Sequence, residues 1–162
     1  MSDIQVLEIQ RLTPDQWPVW RTVRHRALEE APYAFGSILA DWSGDGDTEA
    51  RWRARLETVP ANFIAYIGGS AVGQSSGVET ERANCVELLS LWVAPEARGT
   101  GVGRGLIDAV RQWGRQEQAQ TLILHVKTDN SAAISLYERE GFERSSAPVE
   151  RGEYEMVEQL GR

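Results

Sequence analysis

The run from Leu89 to Arg104, LSLWVAPEARGTGVGR, constrains the fold more than any other segment of the chain. An apolar stretch typical of a strand enters a glycine-rich loop, and the loop opens a helix. Glycine lets the main chain approach a ligand closely, and the first turn of a helix leaves N–H groups without internal partners at the positive end of the helix dipole. The segment therefore predicts a site for an anion such as a pyrophosphate, with Arg98 and Arg104 able to neutralise its oxygens.

Two other phosphate-binding motifs fail on this segment. A Walker loop ends in Gly-Lys-Ser/Thr, a triplet that the chain lacks. The dinucleotide fingerprint G-x-G-x-x-G/A, counted from Gly99 or from Gly101, would place its last residue on Arg104 or Leu106. In dinucleotide-binding folds the glycine motif usually follows the first strand of the chain, whereas here it follows a later strand. A nucleotide-binding protein of another fold is therefore the weaker alternative, which preferential binding of NAD or ATP would revive.

Apolar periodicity along the chain predicts the order β-α-α-β-β-β-α-β-α-β, with one further strand near the end. Strands are predicted at 4–12, 63–67, 71–77, 86–93, 121–126 and 154–160, and helices at 13–30, 48–56, 101–116 and 131–140. The polar, glycine-rich stretch 43–47 predicts a loop without regular structure. A strand–helix–strand crossover over 86–126 makes its two strands parallel, whereas the earlier strands suggest an antiparallel meander. The predicted fold is α/β (α+β) with a mixed sheet.

Composition narrows the class of protein further. The 162 residues suit one domain spanning 1–162. A net charge of −7 disfavours nucleic acid and is compatible with a cationic amine. No apolar run approaches the ~20 residues of a membrane span, and the N-terminus lacks a basic signal-peptide region, so a cytoplasmic protein is expected. One cysteine and two histidines predict neither a disulfide nor a metal site, and Cys85 is interpreted as an inert thiol.

Two motifs carry a resemblance to a known family. Arg98, Gly101 and Gly103 match the Q/R-x-x-G-x-G/A signature of the GNAT superfamily of N-acetyltransferases, and the preceding LWVAP at 91–95 resembles its L-x-V-x-P strand end. The segment 130–142, NSAAISLYEREGF, is similar to the family's N-x-x-A-x-x-L-Y-x-x-x-G-F. The two motifs occur in the family's order and cover roughly residues 87–142.

This resemblance implies a mostly antiparallel sheet with a central parallel strand pair, flanked by helices on both faces. It implies acetyl-CoA as the co-substrate and no metal. The pantetheine arm would lie in a split between 88–93 and 121–126, pairing with strand backbone as an added strand does, and the pyrophosphate would lie on the loop amides. The implied cofactor-binding residues are Leu91, Trp92, Val93, Arg98, Gly99, Thr100, Gly101, Val102, Gly103, Arg104, Asn130 and Tyr137.

Asn130 and Tyr137 gain specific roles from the second motif. Asn130 is a good helix cap by residue type, and the family's residue at this position also hydrogen-bonds the pantetheine arm. Tyr137 lies two helical turns further on the same face, where the family's tyrosine acts as general acid for the departing thiolate. A core tyrosine packed beside Leu136 is the alternative.

Direct attack by an amine also requires that the amine lose a proton. Glu87, at the start of the central strand, matches the position of the base in several family members, although a solvated carboxylate or a water chain remains the alternative. Strand alternation predicts that Glu87 shares a face with Leu89, Leu91 and Val93, with Ser90 on the opposite face. The amide of Val93 would hold the tetrahedral oxyanion, and direct attack leaves Cys85 without a catalytic role.

The acceptor is less constrained. A primary amine of a small molecule is the expected substrate; a protein or peptide N-terminus and a non-catalytic acetyl-CoA-binding module are the alternatives. The acceptor pocket is expected between the N-terminal helices, the loop after Phe35 and the final strands, with Tyr33, Trp42, Trp52 and Trp92 as candidate aromatic contacts. Dimers are common in this superfamily, so a homodimer stays open.

Overall fold

The computed structural model describes residues 6–30 and 39–161, and the strands of these residues form one seven-stranded sheet. The strands are β1 (Leu7–Arg11), β2 (Ala61–Ile67), β3 (Ser70–Glu79), β4 (Cys85–Val93), β5 (Thr121–Lys127), β6 (Glu143–Arg144) and β7 (Glu153–Gln159). Their order in space is β1-β2-β3-β4-β5-β7-β6. Every neighbouring pair is antiparallel except β4 and β5, which are parallel. The predicted mixed sheet and parallel pair are confirmed.

Four α-helices join these strands. They are α1 (Trp17–Glu30), α2 (Glu49–Thr58), α3 (Val102–Gln116) and α4 (Ser131–Arg139). Before α1, a short 3-10 turn is closed by Gln16, whose Oε1 accepts a hydrogen bond from the N–H of Thr13 at 2.8 Å. Thr48 Oγ1 caps α2 by accepting from Arg51 N at 3.2 Å. The predicted strand start at residue 4 lies outside the described residues.

The predicted loop at 43–47 is more ordered than its composition suggested. Two 3-10 turns, Leu39–Trp42 and Gly44–Gly46, occupy this region, so the prediction of no regular structure was wrong. The cause is tertiary anchoring. Asp47 accepts hydrogen bonds at 2.7 Å from Arg21 Nε and from Trp52 Nε1, which tie the end of the segment to α1 and α2.

Helix α3 packs against one face of β3 because two glycines of that strand allow a close approach. A Cβ atom at Gly77 would lie 2.5 Å from the ring of Trp113, and one at Gly73 would lie 2.9 Å from Leu106 Cδ1. The large apolar side chains that α3 buries are Val102, Leu106, Ile107, Val110 and Trp113. Burial of each large apolar side chain contributes about 1.5–3 kcal/mol, so this contact fixes α3 on the sheet.

Helices α1 and α2 cover the opposite face. Strand alternation turns Gln74 and Ser76 away from the face of Gly73 and Gly77, and Arg55 of α2 donates to Ser76 Oγ at 3.2 Å. Trp20 of α1 and Trp52 of α2 are fully buried in the core. The sheet is therefore flanked by helices on both faces, as the resemblance implied.

The parallel pair β4–β5 separates after three residues. Pairing runs from Cys85–Thr121 to Glu87–Ile123 and ends there, which leaves the later backbone groups of β4 facing a gap. At the same level β4 contains a bulge. Ser90 and Leu91 together lie opposite the single residue Ser75 of β3, and Ser90 has a φ of 59°.

This bulge overturns part of the predicted alternation. Glu87, Leu89 and Trp92 pair with Val78, Ser76 and Gln74, all of which face α1 and α2. Val93 pairs with Gly73 and therefore lies on the α3 face, so the prediction that it shares a face with Glu87 was wrong. Ser90 was predicted on the opposite face, but its Oγ is 3.4 Å from Arg55 Nη2 of α2. The extra residue reverses the phase of the strand.

Candidate active site

A cleft of about 720 Å³ opens where β4 ends, between the N-terminus of α3 and helix α4. Its walls come from the end of β4, the glycine loop, the end of β5 and one face of α4. They include most of the predicted cofactor residues, namely Leu91, Trp92, Val93, Arg98, Gly99, Gly101, Gly103, Arg104, Asn130 and Tyr137. Thr100 and Val102 lie within the same loop and first helical turn without lining the cleft.

The glycine loop has the backbone geometry that an anion site requires. Gly99 and Gly101 have φ values of 79° and 88°, in the left-handed region that favours glycine. Gly101 is the N-cap of α3, and a Cβ atom at either glycine would meet no other atom within 4 Å. Thr100 stabilises the turn through a short hydrogen bond from its Oγ1 to the carbonyl of Ala97. The first-turn N–H groups of α3 are thus presented at the cleft, which is the arrangement that binds phosphate oxygens.

The two arginines beside the loop are held at the cleft rim by carboxylates. Arg98 Nη2 donates to Glu30 Oε1 at 2.9 Å, and its Nε donates to the carbonyl of Val93 at 3.1 Å. Arg104 Nε donates to Glu140 Oε2 at 3.1 Å. Glu30 also accepts from Trp92 Nε1 at 2.9 Å, and this hydrogen bond, followed by the one from Arg98, lowers the pKa of Glu30. Both guanidinium groups stay about half exposed or more, so they can still contact an anion in the cleft.

Five charged side chains that line the cleft were not predicted from the sequence, namely Glu30, Lys127, Asp129, Arg139 and Glu140. Lys127, the last residue of β5, and Glu30, the last residue of α1, both line the cleft. The end of an apolar strand beside a predicted ligand split was a usable signal for Lys127. Nothing in the local sequence links Glu30 to the loop, because it lies 68 residues from Arg98.

Helix α4 brings Asn130 and Tyr137 to the cleft. Asn130 Oδ1 accepts from Ala133 N at 3.2 Å, which confirms Asn130 as the N-cap of α4. Tyr137 is 9% exposed, and its ring meets that of Phe142 edge to face at 5.8 Å. Burial raises the pKa of Tyr137. Its hydroxyl therefore stays protonated at neutral pH and can act as a proton donor.

Glu87 lies apart from the residues that line the cleft, at the point where β4 and β5 separate. Its Oε2 is 2.9 Å from His125 Nδ1. His125 Nε2 lies 3.7 Å from Glu155, which also accepts from Arg82 Nη2 at 2.7 Å. The predicted base is thus part of a charged group on the α1 and α2 face of the sheet.

The predicted acceptor aromatics fall into different environments. Trp92 lines the cleft, whereas Trp52 is fully buried and stacks against Trp42 at 4.5 Å between ring centroids. Tyr33 and the loop after Phe35 lie outside the described residues. Cys85 is buried at the start of β4 and makes no disulfide.

A split sheet beside a glycine loop and an open helix N-terminus suits a ligand that carries phosphate groups. Comparison with known families identifies the family to which the chain belongs. The model of the acetyltransferase (GNAT) family matches residues 10–142, and the chain belongs to this family. The resemblance drawn from the two sequence motifs is confirmed.

Solved structures show the same fold along nearly the whole chain. The PaiA N-acetyltransferase of Thermoplasma acidophilum in complex with coenzyme A superposes with a TM-score of 0.75 at 17% identity, over 95% of this chain and 99% of that one. The ribosomal-protein-S18-alanine N-acetyltransferase of Escherichia coli gives a TM-score of 0.68 at 21% identity, over 97% and 96%. At these identities the likeness extends to the fold and not to the acceptor.

Curated relatives match over shorter stretches. A mycothiol acetyltransferase of Geodermatophilus obscurus is 40% identical over 63 residues, which are 39% of this chain and 20% of the relative. A probable N-acetyltransferase family 8 member 5 of Mus musculus is 28% identical over 97 residues, or 57% and 43%. The chain therefore matches less than half the length of these relatives.

Within residues 6–30 and 39–161, no helix is both long and apolar enough to cross a bilayer. In the same ranges, no three histidine, cysteine or acidic side chains lie close enough together to hold a metal ion.

Proposed function

We propose that this chain is an acetyl-CoA-dependent N-acetyltransferase that transfers an acetyl group to a primary amine of a small molecule. Residues 1–162 would act as one domain, since all seven strands of the described residues belong to a single sheet. The observation that carries the proposal is the convergence of the glycine loop, Asn130 and Tyr137 on one cleft beside the split of β4 and β5.

The chain offers each part of acetyl-CoA a matching surface. The backbone of Leu91 and Val93, beyond the point where β4 and β5 stop pairing, can hydrogen-bond the pantetheine amides. The N–H groups of residues 102–104 and the rim cations, including Lys127, can hold the pyrophosphate. Asn130, held in place as the cap of α4, contributes a side-chain amide at the edge of the arm.

The co-substrate supplies the acetyl group as a thioester, and the protein directs proton transfer around it. The amine nitrogen attacks the thioester carbon, the carbon–sulfur bond breaks, and the hydroxyl of Tyr137 gives its proton to the departing sulfur. The amine loses its proton to Glu87, through water since Glu87 lies outside the cleft lining. The amide of Val93 is the proposed donor to the oxyanion. Direct attack in a ternary complex leaves Cys85 uninvolved, and ping-pong kinetics would contradict it.

Replacement of Tyr137 by Phe tests the assignment of the acid. The variant should turn over acetyl-CoA about 10²–10⁴-fold more slowly, the usual contribution of a general acid, while its affinity for CoA by calorimetry stays unchanged. Tyr154→Phe is the matched control, because Tyr154 lies in β7 and does not line the cleft. Equal turnover in the two variants removes Tyr137 from the mechanism.

The wider proposal has its own test. Calorimetry with CoA at millimolar concentration should detect binding, and CoA release should depend on an added amine. Absence of CoA binding would overturn the proposed function. CoA binding without release across a broad amine panel would instead favour the non-catalytic module, and acetylation of peptides in preference to small amines would favour a protein N-acetyltransferase.

A further inference from the structure

A buried polar cluster lies on the α1 and α2 face of the sheet, beside the bulge of β4. At its centre is Arg55 of α2, whose guanidinium donates to Asn62 Oδ1 at 2.9 Å, to Ser76 Oγ at 3.2 Å and to Ser90 Oγ at 3.4 Å. All three acceptors are neutral. Among the described residues, no carboxylate hydrogen-bonds or pairs with Arg55, in contrast to the arginines at the cleft rim.

A second buried guanidinium adds to the positive charge of this region. Arg24 of α1 is 9% exposed. Burial lowers the pKa of Arg55 to about 10, and burial followed by the charge of Arg55 lowers the pKa of Arg24 to about 10. Both groups therefore remain charged at neutral pH, within electrostatic range of each other.

Neighbouring side chains leave hydrogen-bonding capacity unused. Gln74 is fully buried, and neither its Nε2 nor its Oε1 finds a hydrogen-bond partner among the described residues; the same holds for the fully buried Trp20 Nε1. Gln74 lies two residues from Ser76 on the same face of β3, and the Arg55 guanidinium lies 5.1 Å from the Trp20 ring. Buried donors without partners are rare in folded proteins because they cost free energy. These donors therefore point to a ligand with acceptor oxygens.

The cluster is continuous with the cofactor cleft through β4. Ser90 directly precedes Leu91 and Trp92, which line the cleft, and Gln74 is the register partner of Trp92. Ser90 is held in a left-handed conformation that non-glycine residues seldom adopt. An anionic group bound at Arg55 would thus lie just beyond the strand segment along which the thioester arm is proposed to run, on the face opposite α3.

We propose that the acceptor carries a carboxylate in addition to its amine, and that Arg55 holds this carboxylate while the amine reaches the thioester. This inference rests on the proposed N-acetyltransferase function and names its substrate class, an amino carboxylic acid. A guanidinium matches a carboxylate in shape and charge, and the Nε2 of Gln74 can donate to the same group. A polycationic amine would meet the like charge of Arg55 at this position and would be a poor acceptor.

Matched acceptor pairs give the direct test. CoA release should be measured with L-alanine against ethylamine, L-phenylalanine against 2-phenylethylamine, 4-aminobutanoate against butylamine, and L-lysine against cadaverine. At least one carboxylate should exceed its partner amine in kcat/KM by about tenfold or more, the minimum effect expected of one charge-assisted hydrogen bond. Equal rates within every pair, or a preference for the plain amines, would overturn the inference.

Two variants test whether the preference for carboxylate-bearing acceptors depends on Arg55. Arg55→Gln should reduce kcat/KM for the preferred carboxylate about tenfold or more and leave the rate with its partner amine nearly unchanged. Arg53→Gln is the matched control on the same helix, because Arg53 makes surface pairs with Asp15 and Glu49. A uniform loss for both members of a pair would show a merely structural role and contradict the proposal.

Separate readouts distinguish this inference from the function on which it rests. Calorimetry with CoA and thermal unfolding of Arg55→Gln establish that the variant is folded and loaded; Arg55→Lys, which keeps the charge, serves if Arg55→Gln does not fold and should retain part of the carboxylate preference. Failure of the wild type to bind CoA removes the proposed function. CoA binding with amine acetylation that ignores the carboxylate removes only the inference about the acceptor.

Discussion

Replacement of Arg111 by Met is expected to destabilise the protein severely, because this arginine connects three elements around the cleft. Arg111 lies in α3, and its Nε and Nη2 donate to Glu158 of β7 at 2.7 and 2.8 Å. Nη1 donates to Asp108 at 2.6 Å and lies 3.4 Å from Glu140 just after α4. Burial lowers the pKa of Arg111, the hydrogen bonds with Glu158 and Asp108 raise it, and the net shift is upward.

The magnitude follows from what Arg111→Met leaves behind. The side chains of Glu158 and Glu140 are 14% and 8% exposed, so both would become poorly solvated charges without this partner. Removal of one member of a buried ion pair costs about 3–5 kcal/mol. In a protein of this size such a loss lowers the melting temperature by roughly 6–20 °C.

Arg104→Met is the matched control. Arg104 pairs with the same Glu140, but its side chain is 70% exposed, so its loss should cost only about 0–1 kcal/mol. Urea unfolding without ligand should show a lower midpoint for Arg111→Met at an unchanged m value. The double variant Arg111→Met/Glu158→Gln should regain part of the stability, since it also removes a stranded charge. Equal midpoints for Arg111→Met and Arg104→Met would refute the reasoning.

Three further predictions concern the candidate site and its supports. Because burial raises the pKa of Tyr137, the alkaline loss of kcat caused by its ionisation should lie above pH ~10, the ordinary value of a tyrosine; a rate profile in which Tyr137 titrates near neutrality would contradict this. Gly101→Ala places a side chain at a φ of 88° at a cost of about 1–2 kcal/mol, so both the unfolding midpoint and the CoA affinity should fall, whereas Gly105→Ala within α3 should leave the affinity unchanged. Hydrogen bonds from Arg21 and then Trp52 lower the pKa of Asp47 below its unfolded value of ~3.8. The ionised Asp47 therefore stabilises the folded state above that pH, and this contribution is lost as the pH falls further. Wild type and Asp47→Asn should differ in urea midpoint at pH 6 and converge in strong acid.

The order of elements and the position of the cleft could be predicted from sequence because they depend on local signals. Glycine at positive φ, a helix cap at Asn130 and an apolar strand before the loop each need only a few adjacent residues. The cleft then follows from chain order, since a crossover brings the ends of two parallel strands together. The predicted position of Tyr137 on α4 required no more than helical spacing.

Features that depend on distant partners were beyond the sequence. Serine seldom adopts a left-handed conformation, so the residue type of Ser90 gave no sign of the bulge. Simple alternation therefore predicted the wrong face of the sheet for Val93. The pairing of Arg98 with Glu30 and the order of the segment 43–47 arise from contacts made only after the helices dock. The same is true of Arg55, which looks like any surface arginine of a charged helix until its neutral partners are seen.

The bulge makes the length of β4 critical. From Leu91 onward, each side chain lies on the face of the sheet opposite to the one it would occupy in an uninterrupted strand. This reversal directs the indole of Trp92 to Glu30. Excision of Ser90 alone would turn the side chains of the remaining strand to the opposite face, aim the indole at α3 and remove one of the two hydrogen-bond donors of Glu30. The single extra residue of the bulge thus determines which face of the sheet the later side chains of this strand occupy, although no atom of Ser90 itself lines the cleft.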